Sequence, residues 1–340
     1  MTTFRRPFAA FVGVGLVWIL LFVSACASAR SGPSTTPSAT PTTPPHAAEP
    51  AGMTVAPWLT LQEWRATVDG TPADVPVLLR PAATLDIDLV WRVETPPQGA
   101  YQVQAQLRHV LGREVFQAEI PLAVEEVHDG VVQQRITFAL PEKLPEGAYT
   151  LVLMVFRATS PSAAVLPVGT ALTIPRFKVP LDQAEDIPPA GEPLARFGDA
   201  VTLVGLDAPE EARVFDSVVV RARWQVEQPL AADWTGVLSL VGPCQDAACA
   251  APTVTEIEER PLRGLYPTTV WTPGESVVTT MQVAVPPIAV AGEYQLRFFW
   301  RETESNKRIT AEALTATVEI EDGVLRLPLR VLGEESEESQ

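Results

Sequence analysis

"LDIDLVWRVETPPQGAYQVQAQL", Leu85 to Leu107, aligns without a gap on "VVVRARWQVEQPLAADWTGVLSL", Val218 to Leu240. Trp91 falls on Trp224, Val93 on Val226, Glu94 on Glu227, Pro96 on Pro229, Tyr101 on Trp234 and Leu107 on Leu240. Inside each copy the apolar residues recur every second position. Leu85, Ile87, Leu89, Trp91 and Val93 alternate with Asp86, Asp88, Val90, Arg92 and Glu94. Strict alternation describes a strand with one face on a core and the other in water. Trp91 and Trp224 share the phase of the aliphatic residues and are therefore expected in the core, as is the strand tryptophan of immunoglobulin-type sandwiches.

The repetition continues outward. "LPEGAYTLVLMVF" (Leu144 to Phe156) matches "VAGEYQLRFFW", which sets Gly147 on Gly292, Tyr149 on Tyr294 and Leu151 on Leu296. "LTL" at Leu59 to Leu61 matches "VTL" at Val201 to Leu203, and "ALT" at Ala171 matches "ALT" at Ala313. The order is preserved, so the chain carries two related domains. Pro- and Gly-rich breaks every ten or so residues, with no helical stripe, predict about seven strands per copy. The expected fold is all-β: two tandem immunoglobulin-like antiparallel β-sandwiches. Tyr149 and Tyr294 each follow a Gly-containing turn and suit a tyrosine corner, the hydroxyl reaching nearby backbone.

The N-terminus reads differently. Arg5 and Arg6 precede an uncharged apolar run from Phe8 to Ala25, the layout of a secretory signal. The run ends in Val23-Ser24-Ala25-Cys26, which resembles the lipobox of bacterial lipoproteins. The resemblance implies a signal peptide over 1–25, diacylation of Cys26, and a membrane anchor facing the extracytoplasmic side. From 26 to 52 the chain is almost wholly Ser, Thr, Pro, Ala and Gly, a stalk with no means of forming a core. The expected sandwiches cover 53–179 and 196–332. Residues 180–195 form a Pro-rich linker with the character of a semi-rigid hinge, and 333–340 an acidic tail.

The formal charge of −16 becomes −18 once Arg5 and Arg6 leave with the signal. Such a surface repels phosphate backbones and excludes nucleic acid as a partner. The anchor makes the membrane one partner; the other is an envelope protein or a glycan. With Cys26 assigned to the anchor, Cys244 and Cys249 remain in "PCQDAAC" and read as an extracytoplasmic disulfide. No histidine follows His128, so no metal set and no cofactor is expected. His109 and His128 read as exposed turn-side residues. No triad signature, zinc signature or phosphate loop is present. Asp86 and Asp88 on one strand face read as solvation rather than a calcium site.

"RGLYPTTVWTPGESV", Arg263 to Val277, has no counterpart in the first copy. With "VTLVGLD" (Val201 to Asp207), Trp-x-Val at Trp224 to Val226 and "G-x-Y-x-L" from Gly292, it resembles the β-sandwich attached to some bacterial membrane glycosyltransferases. The likeness covers about residues 200–320 and implies fold and surface setting, not activity. The expectation is a non-catalytic surface protein acting in adhesion, spacing or assembly of an envelope complex. The alternative is a carbohydrate-binding protein that stacks Tyr266, Trp271 and Phe299 on a sugar. Burial of Trp271 would make the loop a clasp; an open face would make it a ligand site.

Overall fold

Every alternating run of the sequence forms a strand. The computed structural model describes residues 49–94, 98–112, 114–122, 127, 129–158, 167–182, 188–244 and 251–333. The signal peptide, Cys26, the stalk up to 48 with His46, then His128, Cys249 and the tail from 334 lie outside the described residues. The first sandwich comprises β1 (Glu49–Ala56), β2 (Leu59–Val68), β3 (Thr71–Pro72), β4 (Val77–Leu78), β5 (Thr84–Val93), β6 (Ala100–His109), β7 (Glu114–Leu122), β8 (Val131–Ala139), β9 (Gly147–Ala158) and β10 (Leu172–Val179). The second comprises β11 (Ala195–Phe197), β12 (Val201–Asp207), β13 (Glu211–Arg213), β14 (Ser217–Val226), β15 (Trp234–Val241), β16 (Thr253–Glu259), β17 (Ser276–Ala284), β18 (Gly292–Glu302), β19 (Ala311–Ala313), β20 (Glu319–Glu321) and β21 (Val324–Leu332).

The first sandwich stacks a sheet of order β1-β2-β5-β8, with β3 on β2, against β4-β10-β9-β6-β7. The second stacks β17-β14-β12-β11-β19 against β13-β21-β18-β15-β16, with β20 on β21. Short strands raise the number per copy above seven; all but β11, which lies between β12 and β19, occupy sheet edges or margins, where a few hydrogen bonds suffice. Each sandwich has its own core, drawn from the inward faces of both its sheets. Trp91 and Trp224 are fully buried in them. Their indole N–H groups donate to Gln134 Oε1 at 3.1 Å and Thr279 Oγ1 at 2.8 Å. A buried indole otherwise leaves a costly unpaired donor.

The two copies agree residue by residue in register. Leu61 faces Trp91 and Leu203 faces Trp224, and the ladder slips immediately afterwards in both, at Leu61/Glu63 and Leu203/Gly205. Leu107 pairs with Leu151 as Leu240 pairs with Leu296. The parallel pairs β4·β10 and β13·β21 also recur. One expected match fails. Ala171 leads into β10, which pairs with β9, whereas Ala313 closes β19 on the opposite sheet. The true counterpart of β10 is β21, since Phe177 faces Tyr149 and Leu329 faces Tyr294. A three-residue match is too short to carry register across an insertion.

Both tyrosine corners form. Tyr149 OH donates to Pro145 O at 2.6 Å and Tyr294 OH to Val290 O at 3.0 Å. Burial pushes the Tyr149 phenol from 10 up to about 12. The folded state thus holds this proton more tightly than the unfolded state. Its stabilisation is complete below pH 10 and is lost as pH rises towards 12. Melting temperatures measured across pH 9 to 12 should fall, and Tyr149→Phe should flatten that fall while lowering the plateau through loss of the Pro145 bond.

Candidate functional site

The loop between β16 and β17 is a long connection that the sequence sets apart from the first copy, and its residues each have a place. Leu262, Arg263 and Gly264 run left-handed in succession, at φ 52°, 58° and 81°, which reverses the chain after Pro261. Pro267 then opens a short turn over Thr268–Val270. Thr268 is fully buried: its N–H donates to Asp233 Oδ1 at 3.0 Å, and its Oγ1 accepts from Trp234 N at 2.8 Å. Thr272-Pro273-Gly274-Glu275 closes with Glu275 N donating to Thr272 O at 3.0 Å, and Gly274 sits at φ 83°. Proline second and a left-handed glycine third are what a type II turn requires. Gly274 N and Glu275 O then bond Val226, at the end of β14.

Tyr266 and Trp271 face inward. Tyr266 is 0% exposed and Trp271 1%; the Trp271 N–H donates to Tyr266 O at 3.1 Å, and its ring meets Trp300 edge-on at 6.3 Å. Neither ring offers a face to a sugar. Phe299 is half-buried, and the Arg308 guanidinium covers its ring at 4.4 Å. The three rings of the carbohydrate expectation therefore form no platform: two belong to the core and the third is capped by a cation.

What the loop does hold is the other sandwich. Lys178 of β10 is 3% exposed at its side chain, and its ammonium lies 2.6 Å from Glu275 Oε2 and 3.1 Å from Thr272 Oγ1. Glu275 Oε2 also accepts from Thr272 N (2.8 Å) and Thr272 Oγ1 (2.9 Å), while Oε1 accepts from Tyr266 OH at 2.5 Å. The ammonium lies 5.2 Å from the Tyr266 ring centroid, a cation–π geometry. Burial lowers the Lys178 pKa, opposed by the Glu275 charge, and raises that of Tyr266, with Glu275 adding to the rise. Nearby, Ala148 N donates to Leu265 O at 2.9 Å and Arg176 to Thr269 O at 3.0 Å. A side chain at Gly147 would stand 2.7 Å from Leu265 Cδ1. The glycine that starts β9 is what lets the two sandwiches approach.

Two sequence expectations need correction. His109 is not exposed: it is 3% accessible and continues the inward phase of Val103, Ala105 and Leu107. Leu111 N donates to its Nδ1 at 3.3 Å, which leaves Nε2–H to donate to Glu146 O at 2.9 Å. Its ring packs edge-on against Tyr149, so it is a structural histidine beside the junction. The expected stalk, 26–52, is also too long, since Glu49 and Pro50 already pair with Trp64 and Glu63 in β1; the described linker is bonded to the second sandwich, Gly191 N to Val204 O, Leu194 N to Leu203 O and Arg223 to Pro188 O. Asp86 and Asp88 do face solvent, bonded to Thr137 and to Arg135. Cys244 is disulfide-bonded.

Between the sandwiches lies a cleft of about 900 Å³, lined by Met53, Trp64, Arg176, Asp233, Arg260 and the turn Glu302–Ser305 among others. Its most buried acid is already committed. Asp233 Oδ1 accepts from Thr268, and Oδ2 lies 3.8 Å from Arg260. Burial raises the Asp233 pKa against the pull of those partners.

No family model and no curated protein matches this chain. Among solved structures it is similar to a Bacteroides uniformis β-glucuronidase, at 11% identity and a TM-score of 0.24. It is also similar to β-glucuronidase 2 of that organism bound covalently to cyclophellitol-6-carboxylate aziridine (11%, 0.23), and to a calcium-binding mutant of that enzyme (10%, 0.24). Each match covers 68% of this chain and 26% of the other. Nothing about this chain's chemistry follows from a likeness at that level.

Proposed function

We propose that this chain is a non-catalytic, lipid-anchored surface protein whose tandem sandwiches hold a set geometry outside the membrane, as a spacer or assembly element of an envelope complex. The observation that carries it is the use made of the aromatic loop. Its conspicuous rings are spent on the core, and its turn residues grip Lys178 of the neighbouring sandwich. A module that binds glycans through this loop would leave at least two rings open. The lipobox at Cys26 and the stalk that follows supply the anchor and the reach.

Two measurements test this. Spin labels on exposed Gln133 and Thr280, one in each sandwich, should give a single narrow distance distribution; a broad one would refute the set geometry. Cys26→Ala should move the protein from the membrane fraction to the soluble extracytoplasmic fraction. Unchanged membrane retention would refute the lipid anchor.

A further inference from the structure

The end of the first sandwich that receives the loop has a counterpart in the second sandwich, and there it is bare. Gly147 corresponds to Gly292 and Ala148 to Glu293. Lys178, opposite Ala148, corresponds to Arg330, opposite Glu293. In the alignment that sets Leu85 on Val218, Ala82 falls on Phe215. Both residues are left-handed, at φ 60° and 71°. Pro145 and Val290 match as well, each accepting the tyrosine-corner hydroxyl, and by the same count Lys143 matches Ile288.

The replacements run against what a free surface needs. Phe215, Ile288 and Val290 stand where the first sandwich has Ala82, Lys143 and Pro145, which are themselves exposed beside the strand starts that the loop covers, and they are 72%, 77% and 57% exposed. Their loops are joined, Phe215 N donating to Val285 O and Val285 N to Asp216 O, both at 2.9 Å. A bulky aromatic at positive φ is a conformational outlier. An exposed one gains no core contact to offset that cost.

The rim is acidic. Glu210, Glu211, Asp216 and Glu293 are exposed, with Arg330 between Glu211 and Glu293 at 3.8 and 3.9 Å and Arg213 nearby. We infer that this end of the second sandwich is a docking face for a β-sandwich of another polypeptide, which seats an apolar end loop flanked by Lys or Arg on Phe215 and Ile288. The first sandwich already receives a loop of the second at this same end, on the strand starts at Ala148 and Lys178. Charge argues against a second copy as the occupant. The loop that the first sandwich has in place of the clasp, "AVEEVHDG" from Ala123, is itself acidic, and like charges facing each other disfavour the contact. An anionic lipid surface is disfavoured on the same ground.

This gives the assembly reading a partner face, and it is tested on purified full-length protein in detergent micelles, so its failure is separable from failure of the anchor. A fluorescent alternating Val/Lys octapeptide should bind, weaken as salt is raised, and lose at least tenfold in affinity with Phe215→Gly plus Ile288→Ser. Binding of a Val/Glu octapeptide equally well, or no loss in the double variant, overturns the proposal. Phe215→Gly should leave the melting temperature unchanged or higher, because glycine takes positive φ without strain; this separates lost docking from lost folding. In intact cells, a benzophenone side chain at exposed position 287 should cross-link a different polypeptide at a loop bearing Lys or Arg, and the adduct should vanish with Phe215→Gly. An adduct to a second copy, to lipid or to an acidic segment, or no adduct, overturns it.

Discussion

Replacing Trp271 with alanine is expected to cost about 3–5 kcal/mol of folding stability, the range for removing a buried tryptophan. The indole is enclosed, and it joins two ends of the loop by donating to Tyr266 O. Its loss leaves a cavity beside Trp300 and frees the carbonyl that shapes the turn. The melting temperature should fall by roughly 10 °C. A paired comparison isolates the hydrogen bond. Trp300 is equally buried, but its indole N–H has no hydrogen-bond partner among the described residues. Trp300→Phe removes ring volume and an unpaired donor; Trp271→Phe removes ring volume and a made bond. Trp271→Phe should therefore be the worse of the two by about 1–2 kcal/mol. Equal costs would mean that the Tyr266 bond contributes nothing.

Lys178→Met is expected to be the second largest effect, on the order of 3 kcal/mol, because removing one partner strands the other's charge in a nearly closed site. Glu275 would keep Thr272 and Tyr266 as donors but lose its counter-charge. Adding Glu275→Gln should recover most of the loss, since the glutamine oxygen still accepts from those donors and no charge is left buried. A thermal-melt double-mutant cycle reads the coupling directly. The distance between labels at Gln133 and Thr280 should broaden in Lys178→Met and narrow again in the pair. Additive costs with no narrowing would show that the ion pair does not hold the junction.

Much of the fold was legible because β-structure writes a period of two into the chain. Alternation placed Trp91 and Trp224 inside, and the duplication placed their neighbours opposite them. Both tyrosine corners followed from a tyrosine set just beyond a glycine turn. The junction was not legible, for a physical reason. Lys178 lies on the outward phase of β10, next to inward Phe177, and any reading of one sandwich alone leaves it in water. Only the second sandwich buries it, and that packing has no periodic trace. His109 was legible in principle, as it keeps step with Leu107; proximity to a strand end concealed this. The aromatic loop was the hardest case. Tyr, Trp and Pro in one stretch read as a clasp ahead of a sugar platform, and only the direction of the rings separates the two.

The sheet edges have a consequence wherever copies of this chain are crowded together. Each sheet ends on one side in a strand of two or three residues, β4, β13 or β19, or in β1, whose ladder with β2 is interrupted twice. On the other side three of the four long edge strands carry interruptions of their own, Pro121 and Glu119 in β7, Arg135 in β8 and three glutamates in β16, whereas β17, nine residues long, carries neither charge nor proline. An open edge is a template for the next chain. Here charges, a proline and short lengths deny that template at every sheet edge but β17. Where many copies stand side by side, sheet sharing is then confined to the β17 edge, and other lateral contacts fall to side-chain faces rather than to backbone.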